Sequence, residues 1–102
     1  MTPIGGLFAT LPRYMFIMSE KVKQTYAFGV ALRAYRRQRG LTQDQLSVRV
    51  NVVRSYICTL ESGKKQPNLD MILRLAAALD VTPGALLDAM VAARDGTDAR
   101  YT

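Results

Sequence analysis

Apolar residues recur at three- and four-residue spacings in successive blocks, each closed by a turn residue. Phe28, Leu32 and Tyr35 form the first block, with Arg33, Arg36, Arg37 and Arg39 among them, until Gly40 stops the run. That spacing predicts a helix from about Tyr26. In "LTQDQLSVRV", Thr42 and Gln45 make a capping box, with Leu46 and Val50 as the buried positions of a second short helix. Asn51 follows at a tight turn, because Asn enters the left-handed backbone region more readily than other non-glycine residues. A third helix, about Val53 to Glu61, is expected to bury Val53, Ile57 and Leu60, with Gly63 as its C-terminal stop. Asn68 caps a fourth, with Asp70 in its first turn and Ile72, Leu75, Ala76 and Leu79 inside. Thr82 and Pro83 open a fifth carrying Leu86, Leu87, Met90 and Val91. The expected fold is all-α, five short helices joined by tight turns.

The ends of the chain break this pattern. Residues 1–18 are apolar but interrupted by Pro3, Gly5, Gly6, Pro12 and Arg13. They lack the basic start of a signal peptide and the ~20 uninterrupted apolar residues of a membrane span. Only "YMFIM", residues 14–18, could alternate like a strand. Two readings stay open: an ordered arm that packs on the domain or on a second subunit, or a natural start at Met15 or Met18. The expected organisation is an N-terminal arm or extension over 1–25, a helical domain over 26–93 and a flexible tail over 94–102.

Charge sharpens the picture. The chain of 102 residues has 14 Lys and Arg against 8 Asp and Glu, a net charge of +6. Up to Pro67 there are 11 basic residues against 3 acidic ones (Glu20, Asp44 and Glu61), a local excess of +8. The remainder has 3 basic against 5 acidic, or −2. Such concentration suits a polyanionic partner. With no His and one Cys, Cys58, a Ser–His–Asp triad, a Cys–His pair, a Cys/His zinc site and an internal disulfide are all excluded within one chain. Neither an enzyme nor a metal or cofactor protein is expected, and the cysteine usage fits a reducing cytoplasm.

The second and third helices, separated by the turn at Asn51, form a helix-turn-helix. At about 100° per residue, Arg54, Ser55, Thr59 and Ser62 fall opposite the buried Ile57 and Leu60. That width and chemistry suit the DNA major groove, which admits one α-helix and displays a distinct donor and acceptor pattern for each base pair.

The stretch from Phe28 to Met90 resembles the lambda/434-repressor-like helix-turn-helix domains, the XRE or Cro/C1 family. Gly40-Leu41-Thr42-Gln43, Leu46, the Ile57…Leu60-Glu61…Gly63 string, Pro67 and Leu75-Ala76…Leu79 fall in register without a gap. The resemblance implies a five-helix DNA-binding fold and a sequence-specific transcriptional regulator of double-stranded DNA. It implies base reading by Arg54, Ser55 and Thr59, and phosphate contacts from Gln43, Ser62, Lys64 and Lys65. Tyr56 either lies over the sugar-phosphate or packs on the domain. Arg36 and Glu61 match a structural ion pair. Two positions depart from the family: Asn51 stands where Gly is frequent, and Val53 where Ser or Thr caps the recognition helix, which Val cannot do.

One such helix spans few base pairs, so specificity calls for a homodimer on a palindrome. The expected dimer surface is Leu86, Leu87, Met90 and Val91 of the fifth helix, then the N-terminal arm; both could instead close the monomer's core. Neither a membrane nor a small-molecule ligand is expected. The rival reading is an antitoxin-type or other protein-interaction module that also binds DNA.

Overall fold

A computed structural model describes the backbone of residues 13–100 and the side chains of residues 20–95. Among the described residues five helices follow one another: α1 Arg13–Gln38, α2 Gln43–Val50, α3 Arg54–Glu61, α4 Leu69–Ala78 and α5 Pro83–Arg100. Among the described residues there is no strand.

The starts of α2, α4 and α5 follow the sequence signals closely. Thr42 Oγ1 accepts from the Gln45 amide at 3.0 Å while Gln45 Oε1 accepts from the Thr42 amide at 2.9 Å, closing the capping box of α2. Asn68 Oδ1 accepts from the Met71 amide at 2.8 Å and Thr82 Oγ1 from the Ala85 amide at 3.0 Å, which caps α4 and α5. α3 alone of these has no side-chain cap: Val53 sits at the cap position with φ −75 and ψ 151 and offers no acceptor.

The ends share one device. After α1, α2, α3 and α4 a left-handed residue reverses the chain: Gly40 (φ 71), Asn51 (φ 58), Gly63 (φ 78) and Asp80 (φ 58). In each case the next amide bonds back to a carbonyl five residues earlier: Leu41 to Arg36, Val52 to Ser47, Lys64 to Thr59 and Val81 to Ala76, at 3.0–3.1 Å. This is the Schellman closure, which satisfies the last free carbonyls of a helix.

The core joins all five helices through Phe28, Leu32, Leu46, Ile57, Leu60, Leu75, Leu79 and Leu86, all buried. α1 packs on α5 and on α3, α2 on α3 and α4, and α4 on α5. Gly29 sets how closely α1 crosses the end of α3. A Cβ there would lie 2.6 Å from the carbonyl oxygens of both Leu60 and Glu61, so only a bare backbone fits.

Three expectations need correction. α1 does not begin near Tyr26 but at Arg13, and "YMFIM" belongs to it as helix rather than strand. The helix is prolonged because α5 lies against it and Arg94 pairs with Glu20 at 3.6 Å. Likewise residues 94–100 continue α5 instead of fraying. Val53 is not a buried helix position; it is 68% exposed at the cap of α3. The remaining parts of the expected arm and tail, residues 1–12 and 101–102, lie outside the described residues. Among those described, no single helix is long and apolar enough to cross a membrane.

Candidate nucleic-acid interface

α3 divides cleanly into two faces. Ile57 and Leu60 are fully buried, which fixes the rotation of the helix, and Arg54, Ser55 and Cys58 are then left exposed on the other side. Thr59 is half-buried; its hydroxyl donates to the Ser55 carbonyl at 2.8 Å, so its oxygen lone pair and methyl are what remain to meet a partner. The Ser62 hydroxyl donates to the Thr59 carbonyl at 3.1 Å and is exposed at the helix end.

Position along the helix is set by Glu61. Arg36 of α1 donates to it through Nε at 2.6 Å and Nη2 at 3.0 Å, a bidentate pair with both side chains buried. Nη1 of the same guanidinium donates to the Leu41 carbonyl at 2.7 Å, so α1, the α1–α2 turn and α3 meet at one group. Gln43 Nε2 adds a third bond to Glu61, at 3.1 Å. Gln43 thus braces α2 against α3 while its second amide proton still points to no protein acceptor among the described residues. Arg33, half-exposed, stands 4.0 Å from the same carboxylate. Three donors around one buried carboxylate meet the condition under which a buried charge is tolerable.

Tyr56 is half-buried against the core, and Lys65 Nζ lies 5.5 Å from its ring centroid. That distance is within cation–π range, so the ring holds the ammonium beside α3. Lys64 and Lys65 are exposed on the loop that leaves α3. Arg54, Ser55, Ser62 and Lys65 are thus exposed, Thr59 and Tyr56 are half-buried, and Lys65 stands over the Tyr56 ring at the exit of α3.

Several basic residues are tethered to backbone carbonyls of the fold. Arg39 donates to the Leu79 and Asp80 carbonyls at 2.7 and 3.1 Å, Arg49 to Ala78 at 3.2 Å and Arg74 to Val50 at 2.6 Å. These guanidiniums neutralise helix C-termini, where the backbone dipole favours cations. They tie the fold together while their side chains stay exposed.

The fifth helix also differs from expectation. Leu86 is fully buried in the monomer's own core and is withdrawn from the dimer surface. Leu87 and Met90 are half-buried and Val91 is 37% exposed. The reason is phase: Leu86 lies within the core cluster, Ala89 and Met90 pack partly against it, and Val91 turns outward. Cys58, exposed on the same face as Arg54, and Gly29 were not singled out as site residues from the sequence; glycine inside an amphipathic run carries no periodic signal.

Comparison with known proteins matches residues 27–90 to the model of a helix-turn-helix domain. An HTH-type transcriptional regulator of Methanothermobacter thermautotrophicus is 44% identical over 48 residues, 47% of this chain and 70% of that protein. The immunity repressor protein of Bacillus phage phi105 is 34% identical over 59 residues, 58% of this chain but only 41% of the repressor. The crystal structure of the restriction-modification controller protein C.AhdI from Aeromonas hydrophila superposes with a TM-score of 0.59 at 39% identity, covering 61% of this chain and 94% of that one.

Proposed function

The chain belongs to the helix-turn-helix domain family, and from that premise we propose that it is a transcriptional regulator binding double-stranded DNA at a specific sequence. The observation that carries the reading is the outer face of α3, polar and open at Arg54 and Ser55 while its inner face is locked into the core. A helix so mounted enters a major groove without rearranging. In this reading Arg54, Ser55 and Thr59 select bases, Arg through bidentate bonds to guanine O6 and N7. Gln43, Ser62, Lys64, Lys65 and the edge of Tyr56 hold the phosphates and set the register. Two copies related by a two-fold axis read a palindromic operator, their α3 helices about 34 Å apart. Leu87, Met90 and Val91 supply the apolar part of the contact between copies. The similarity to a phage repressor and a restriction-modification controller supports regulation of transcription as the outcome of binding.

Selection of bound duplexes from a random pool tests the whole reading in one measurement. A two-fold symmetric motif with half-sites one helical turn apart is expected. Recovery of an unenriched pool would overturn sequence-specific binding, and an enriched motif without symmetry would overturn the dimer.

A further inference from the structure

The prolonged α1 builds one wall of a further surface feature. Residues Lys21, Val22 and Thr25 of α1 face Gly63, Lys64, Lys65 and Gln66 across a cleft of about 500 Å³. The α1 wall of this cleft precedes residue 27, where the match to the helix-turn-helix model begins. Its two walls are held at fixed separation. Gly63 abuts α1 so closely that a Cβ would stand 3.0 Å from the Tyr26 Cα.

The cleft is cationic on both sides. Among the described residues Lys21, Lys64 and Lys65 line it and no carboxylate does, while Glu20 is turned away toward Arg94 at 3.6 Å. Among the described residues none of these three lysines takes part in an ion pair. The cleft is also continuous with the face of α3. Lys65 lines it and at the same time stands over the Tyr56 ring, so an anionic strand leaving α3 past Tyr56 meets Lys65 and then the gap between Lys64 and Lys21.

We infer that this cleft takes the sugar-phosphate backbone of the bound duplex outside the base pairs read by α3, so that the extension of α1 lengthens the DNA footprint through Lys21. The inference rests on the DNA-binding reading above. The ligand is a backbone phosphate, and its recognition is by charge and shape, without base preference.

The test compares two duplexes carrying the selected motif, one ending flush with the half-sites and one extended by about five base pairs, roughly half a turn, on each side. The wild-type protein is expected to bind the longer duplex several-fold more tightly. Lys21→Ala should abolish that gain, leave the short duplex unchanged, and lower the slope of log K against log salt on the long duplex by about one per protomer. Lys21→Glu should bind the long duplex more weakly than Lys21→Ala. Lys21 is solvent-exposed, and Lys21→Gln serves as a second variant with the same expected result. Equal wild-type affinity for both lengths, or a Lys21→Ala slope equal to wild type, overturns the cleft inference while leaving the proposed function standing. A wild-type protein that binds neither duplex overturns both.

Discussion

Arg36 and Arg54 are the same side chain in opposite settings, one buried and one exposed. Arg36 is enclosed with Glu61 at 2.6 Å, and its removal would strand a carboxylate that is 3% exposed. Arg36→Ala is therefore expected to destabilise the fold by about 3–5 kcal/mol in urea denaturation, whereas Arg36→Met combined with Glu61→Leu should recover most of that loss. Recovery distinguishes a charge left unpaired from a contact required for its own sake. Arg54 has no such neighbour, so Arg54→Ala should leave stability within about 0.5 kcal/mol of wild type. On the selected operator it should instead cost about 1–3 kcal/mol of binding and relax preference at one base pair. Equal binding to every sequence before and after the change would remove Arg54 from base reading.

Among the elements, α3 is the one whose two ends are treated unequally. Its C-terminus is closed by Gly63 in the left-handed region and by the Lys64 amide on the Thr59 carbonyl at 3.1 Å. Its N-terminus carries Val53, with cap-like backbone angles but no acceptor. Val53→Thr should supply that acceptor to a free amide of the first turn and raise stability by about 1 kcal/mol, read as a shift of the urea midpoint without change of slope. Little packing is lost, since Val53 is 68% exposed. No gain would mean that the first turn of α3 is already satisfied by other means.

At the scale of the molecule, α1 and α5 form an antiparallel pair that reaches beyond the helix-turn-helix, and charge is sorted around it. Arg36 is taken up by Glu61 and Arg39, Arg49 and Arg74 are tethered to backbone carbonyls, whereas Arg54, Lys64, Lys65 and Lys21 are exposed and, among the described residues, in no ion pair. Lys65→Ala should accordingly weaken all DNA sequences alike and reduce the salt slope by about one per protomer, as measured by titration at several salt concentrations. A change confined to one sequence would instead make Lys65 a base reader. Dimer formation is expected to depend on protein concentration. Val91→Glu should shift sedimentation toward the monomer at a concentration where the parent is dimeric.

The local alphabet of the chain carried the helix-turn-helix far. Capping oxygens at Thr42, Asn68 and Thr82, and turn residues at Gly40, Asn51 and Gly63, act within one helical turn, so their consequences can be read from neighbours in sequence. The rotation of α3 likewise followed from Ile57 and Leu60, because periodicity fixes which side is apolar. What needed the assembled molecule were matters settled between elements distant in the chain. Asp80 takes its left-handed turn with Arg39, forty-one residues earlier, donating to its carbonyl. α1 runs back to Arg13 because α5 is there to lie against, and polar helix formers such as Glu20, Lys21 and Gln24 show no periodic apolar stripe that would announce it. Leu86 and Val91 carry the same apolar signal in sequence, yet one fills the core and the other meets solvent. Local pattern specifies the phase of a helix; which neighbour occupies each side of it depends on how all five pack together.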